Sequence, residues 1–148
     1  MSDSDLISLY SGRILELAAN VPLTGRLSAP DASARRRSPV CGSSITVDLV
    51  LKDGRVSEYA QEVRACALGQ ASAAILGQMV IGRSPAELTA LRDAVADMLR
   101  SGGDGPDAPF DLYRVLIPAR EFRNRHASIL LALEAAAEAA EIAGSKDP

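Results

Sequence analysis

The stretch Ile45-Thr-Val-Asp-Leu-Val-Leu-Lys-Asp-Gly-Arg55, ITVDLVLKDGR, decides how this chain folds. Apolar residues at 45, 47, 49 and 51 recur with period two. That is the pattern of a strand with one buried face. Lys52-Asp-Gly54 then signals a tight hairpin, because glycine takes the positive φ such turns need. Arg55 to Val63 is therefore predicted to return as the antiparallel partner strand.

Working outward, the segment before the first strand, LTGRLSAPDASARRRSPV (residues 23–40), is rich in Gly, Pro, Ser and Ala. It reads as a loop with a short edge strand. Its arginines, Arg35, Arg36 and Arg37, read either as a solvated loop or as a docking patch for an acidic surface. Upstream, residues 4–19 carry helical spacing, with Ser4 as the expected cap and Asn20-Val-Pro22 as the stop.

Downstream of the hairpin, CALGQASAAILGQMVIG (66–82) is expected to form a close-packed, buried helix of small and apolar residues ended by Gly82. Ser84-Pro-Ala-Glu87 is a capping box with proline at the first helical position. It opens a helix to about Arg100 with Leu88, Leu91, Val95 and Leu99 on one stripe. Residues 101–110 read as a flexible loop, and a short helical turn is expected near 111–116. A last helix should run from about Asn124 to Ile142, with Glu134, Glu138 and Glu141 on its wet side. The order of elements predicts an α+β domain: a small antiparallel sheet with helices packed on one face, and one domain over 1–148.

Composition narrows the function classes. Of the 148 residues, 47% are hydrophobic and only 3% aromatic, so the core must be built from Leu, Ile, Val and Ala. A net charge of −3 gives no bulk attraction to nucleic acid or to anionic membranes. The opening MSDSDLISLY has no cationic n-region, and no apolar run reaches the ~20 residues that span a bilayer. A cytoplasmic chain without membrane or nucleic-acid partners is expected. There, two cysteines are more often free thiols or ligands than a disulfide.

Those cysteines, Cys41 and Cys66, are the chemistry-bearing residues, with the single histidine, His126. Cys41 precedes the first hairpin strand and Cys66 follows the second. An antiparallel hairpin puts these two ends side by side. Cys66 also opens a helix, where unpaired N–H groups and the dipole favour the thiolate. The plainer reading of Cys66 is a small buried residue on an alanine-rich face. His126, among Arg123, Asn124, Arg125 and Ser128, reads as a helix-end surface group or as a ligand. No phosphate loop is present: SGGDGP follows a helix and lacks lysine.

With these residues in view, the chain resembles the NifU-like (IscU-type) scaffold proteins of iron–sulfur cluster assembly. LYSGRILELAANVPLTGRLSAPDA (9–32) resembles that family's first helix and Asn-Pro-x-x-x-Gly segment. SPVCGSSITVDLVLKDGRV (38–56) resembles its Pro-x-Cys-Gly-Asp turn and hairpin. RACALGQASAAIL (64–76) resembles its Gly-Cys-Ala-x-x-x-Ala-Ser helix start. The resemblance implies a three-stranded antiparallel sheet, and three cysteines and an aspartate at one end of it. There a cluster is built with sulfur from a cysteine desulfurase and passed to recipient proteins.

The departures are specific. The aspartate is Ser43, the glycine before the second cysteine is Ala65, and the third cysteine is missing. RNRHASILL (123–131) stands at its place, putting either Ala127 or, one residue along, Ser128 there. A Leu-Pro-Pro-Val-Lys chaperone segment is replaced by LIPAREF (116–122). The resemblance thus implies binding of iron, a labile iron–sulfur cluster or zinc through Cys41, Cys66 and His126, with Ser43 and Ser128 as lesser candidates. The cluster is expected to be weakly held or shared in a homodimer, and the chain to be a carrier and not an enzyme. A persulfide-sulfur acceptor and a metal-free adaptor are the alternative readings.

Overall fold

The computed structural model describes residues 11–39 and 42–145. A first helix, α1, spans Gly12–Ala19 with extended Ser11 as its cap. The helix start expected at Ser4 lies outside the described residues. Three strands follow, β1 (Ala32–Arg37), β2 (Ser44–Lys52) and β3 (Arg55–Arg64), paired antiparallel in the order β1-β2-β3. Helices α2 (Ala67–Met79), α3 (Pro85–Arg100) and α4 (His126–Ser145) complete the fold, with a 3₁₀ segment at Asp111–Glu121. This is the α+β architecture expected from the sequence.

The hairpin forms where its sequence says. Lys52 pairs with Arg55, leaving Asp53 (φ 55°) and Gly54 (φ 76°) as a two-residue loop. Positive φ at both positions is the twist-matched turn that Asp-Gly favours. Ile45, Val47 and Leu49 are buried. They face α4, which lies across β1 and β2 and is buried on most of its circumference. Alanines dominate α4 after Leu133, so sheet and helices can approach on all sides of it.

The opposite face of β2 carries Asp48, which is fully buried. Arg26 donates to both of its oxygens (2.7 and 3.1 Å), and Leu27 N–H and Ser33 Oγ–H donate at 3.0 and 2.6 Å. Burial works against the Asp48 carboxylate, but these donors outweigh it and hold its pKa below the ordinary range. They also pin the glycine- and proline-rich loop of residues 20–31 over the sheet. The same loop straps the outer edge of β3: Gly25 N–H donates to Gln61 O and Gln61 N–H to Leu23 O, both at 2.9 Å.

Two expectations about loops change. The short edge strand expected within 23–40 is β1, and it takes in Arg35, Arg36 and Arg37, which on their own read as a solvated loop. Alternation sends Arg35 and Arg37 to the outer face and Arg36 inward at the strand's end. There Arg36 pairs with Glu134 (3.5 Å) and Glu138 (3.4 Å) of α4. The short turn expected near 111–116 extends to Glu121 as 3₁₀ helix. Pro118 within it supplies no N–H to an α-helical ladder.

Helix α3 has the expected capping box: Glu87 N–H donates to Ser84 Oγ (3.2 Å) and Ser84 N–H to Glu87 Oε1 (3.4 Å). Arg120, inside LIPAREF, turns inward and donates to Met98 O and Gly103 O, both at 2.8 Å. It thereby satisfies one carbonyl in the last turn of α3 and one just past it. Among the described residues, no helix is long and apolar enough to cross a membrane.

Candidate metal or sulfur site at the end of the sheet

The register Ser44↔Arg64 closes the β2–β3 ladder at the end opposite the hairpin turn. It brings together the residues just before β2 and just after β3, the two places where the cysteines stand in sequence. Cys66 is half-buried at the N-cap of α2 and forms no side-chain cap bond. Its sulfur therefore remains available to other partners. Cys41 lies outside the described residues. The described residues on either side are tied together: Gly42 N–H donates to Ser38 O (3.0 Å) and Ser38 N–H to Ser43 O (2.8 Å).

A chain of three side chains crosses this end of the molecule. Cys66 Sγ lies 3.3 Å from Ser128 Oγ, and Ser128 Oγ lies 3.3 Å from Ser43 Oγ. Ser43 and Ser128 are both buried. The hydroxyls can relay one donor toward sulfur, since each carries one O–H and accepts another. The lesser candidates of the sequence, Ser43 and Ser128, are thus the residues that meet Cys66.

His126 is turned elsewhere. Two residues along an α-helix rotate a side chain by about 200°, so His126 and Ser128 leave α4 on nearly opposite sides. The His126 ring is buried, with Nε2 2.9 Å from Ala119 O. Facing a carbonyl, that nitrogen must carry the proton. The ring borders an open cleft between the end of α3 and the start of α4, lined also by Arg100 and Arg123. Among the described residues, no group of three His, Cys, Asp or Glu side chains is gathered closely enough to hold a metal ion.

Sequence reasoning did not single out Gly69. A Cβ there would lie 2.6 Å from Ser128 Oγ, 2.7 Å from Ala65 Cβ and 3.2 Å from Ser128 O. Only glycine lets α4 come this near to α2, and so lets Ser128 reach Cys66. The signal was an isolated glycine inside a helical pattern, which marks close approach. A second tie fixes the same two helices: Ser72 Oγ–H donates to Ile129 O (2.7 Å), and Tyr113 O–H donates to Ser72 O (2.7 Å).

An antiparallel three-stranded sheet, covered by helices on one face and carrying a cysteine at a helix start where its ladder ends, defines a small α+β domain. The comparisons give that class its family. The NifU-like N terminal domain matches residues 9–109. The crystal structure of a nitrogen-fixing NifU-like protein (N-terminal) from Brucella abortus superposes with a TM-score of 0.93 at 42% identity, covering 96% of this chain and 99% of that one. The chain belongs to the NifU-like N-terminal domain family. Iron–sulfur cluster assembly scaffold proteins IscU 1 of Archaeoglobus fulgidus and IscU of Thermotoga maritima are 28% and 29% identical over 92 residues. Those matches span 62% of this chain and 60% and 65% of the two relatives. A SUF-system scaffold from Fervidobacterium islandicum shares the fold, with a TM-score of 0.79 at 17% identity over 90% of this chain and 98% of that one.

Proposed function

We propose that this chain is a cytoplasmic carrier or scaffold for iron–sulfur clusters, with Cys41 and Cys66 as its thiolates and no catalytic turnover of its own. The cluster is cargo, assembled with sulfur from a cysteine desulfurase and released to recipient proteins. The observation that supports this best is Cys66 itself, half-buried at the end of the sheet with its sulfur facing Ser128.

The donor set defines how such a cargo is held. Clusters are usually bound by four thiolates, and one chain offers two. The hydroxyls of Ser43 and Ser128 are poor ligands for iron but good hydrogen-bond donors to sulfur. His126, committed to Ala119 O on the other side of α4, is left out of the ligand set. Two copies, each supplying Cys41 and Cys66, complete the four-thiolate set. The cluster is then labile and depends on dimerisation. Zinc, which accepts mixed thiolate sets, competes for the same pair.

Anaerobic reconstitution with iron and sulfide, followed by gel filtration, tests this. Absorbance near about 400 nm should appear with the dimer, and Cys41→Ser or Cys66→Ser should abolish it. A chromophore that survives loss of both cysteines overturns them as the ligands, and no chromophore at all overturns the reading and leaves a metal-free adaptor.

A further inference from the structure

The outer face of the sheet carries a charge arrangement that the thiol site does not use. Cross-strand register aligns Arg35 with Thr46 and Thr46 with Glu62, and the next outer row aligns Arg37 with Ser44 and Ser44 with Arg64. Arg26 projects over the same face from the loop of residues 20–31, its side chain half-exposed. Together Arg26, Arg35, Arg64, Thr46, Glu62 and Gln70 line an open cleft of about 630 Å³.

We propose that this arginine-walled cleft is a docking surface for an acidic, carboxylate-rich segment of a partner protein. Among the described residues, the side chains of Arg35 and Arg64 form no hydrogen bond or ion pair, whereas those of Arg26, Arg36, Arg55, Arg83, Arg92, Arg114 and Arg120 are engaged within the chain. Two guanidinium groups are thus held on one rigid sheet with their donors unspent. The chain as a whole has a net charge of −3, so the positive patch is local and selects its partner at short range.

The chemistry favours carboxylates over a nucleic-acid backbone. Arg26 already grips the Asp48 carboxylate through two donors, the fork geometry that suits such groups. Glu62 stands on the wall, 4.0 Å from Arg26, and repels any anion beside it, so the carboxylates of a bound segment are directed to Arg35 and Arg64. Arg64 ends β3 two residues before Cys66, so a segment seated here lies at the thiol end of the sheet. The surface stands on charge and exposure alone, and metal-free protein suffices to test it.

The test is fluorescence anisotropy with a short fluorescein-labelled oligoglutamate peptide and the full chain. Saturable binding that weakens with added salt is expected, with amide shifts centred on Thr46, Glu62 and Gln70. Arg35→Glu with Arg64→Glu should weaken it about tenfold, since each exposed pair contributes little singly and reversal adds repulsion. Arg100→Glu with Arg123→Glu, which changes net charge equally, should bind as the wild type does. If circular dichroism shows the reversed variant unfolded, Arg35→Gln with Arg64→Gln makes the same comparison. No saturable binding, equal loss in both double variants, or tighter binding of oligothymidylate than of the peptide overturns the proposal.

Discussion

The hydroxyl of Ser128 lies 3.3 Å from the sulfur of Cys66, and it does so because residue 69 has no side chain. The contact joins the first turn of α4 to the N-cap of α2, two elements 62 residues apart in sequence. Among the described residues, Ser128 is the side chain that meets the thiol.

Replacing Ser128 with Ala removes the hydroxyl from Cys66 while keeping the helix intact. With the hydroxyl as donor its loss strips the sulfur of a hydrogen-bond partner, and alkylation of Cys66 at neutral pH should slow by about threefold to tenfold. Peptide-resolved mass spectrometry after a timed pulse of iodoacetamide reads this separately from Cys41. An unchanged rate would show that the hydroxyl accepts from the thiol and does not donate.

Gly69→Ala should destabilise the fold even though alanine is the better helix former. The gain in helix propensity is about 1 kcal/mol, while forcing a methyl into a closed contact costs about 1–3 kcal/mol. Urea unfolding should show a lowered midpoint. Adding Ser128→Gly should recover only part of the loss, because Ala65 Cβ, at 2.7 Å, still blocks the new methyl.

His126→Ala separates a structural histidine from a ligand. With Nε2 bonded to Ala119 O in a buried position, the change should cost about 1–3 kcal/mol of stability. Absorbance of the reconstituted cluster per folded chain should be retained. Loss of the chromophore at full stability would restore His126 to the ligand set.

Acid should loosen the outer loop first. Asp48 has a folded pKa below its unfolded value, so its contribution is complete above the unfolded value of about 4 and is lost as pH falls through the folded one. Asp48→Asn should therefore be less stable at neutral pH and show a flatter loss of stability between pH about 5 and about 2. Urea midpoints measured across that range check the slope. Parallel slopes in wild type and variant would place the acid sensitivity elsewhere.

The fold was legible because its strongest signals are local. Alternation over 45–49, Asp53-Gly54 and the Ser84–Glu87 box each act within a few residues and each formed as written, while an irregularity between Val50 and Leu51 breaks the expected pattern at its end. The site was legible only in outline. That β2 begins where β3 ends follows from hairpin topology, and Cys66 at the start of α2 follows from helix punctuation. Which face of α4 meets Cys66 did not follow. It depends on the rotation of a helix whose alanines look alike on every side, and Gly69 and the Ser72–Ile129 tie set that rotation from another element. The edge-strand placement of Arg35–Arg37 was hidden for a related reason. Strand β1 has only Ala32 and Ala34 to bury, and it is held by pairing with β2 more than by its own pattern.

The strap of Leu23–Gly25 along β3 has a consequence for assembly. It uses the outward backbone groups of Gln61 and blocks that flank, while β1, among the described residues, pairs only with β2. With β1 the open flank among the described residues, the sheet can extend by a single step. Two copies meeting β1 to β1 would form a six-stranded sheet whose ends are both closed. Association through backbone pairing is then self-terminating: it can yield a pair, and it cannot propagate into a fibre.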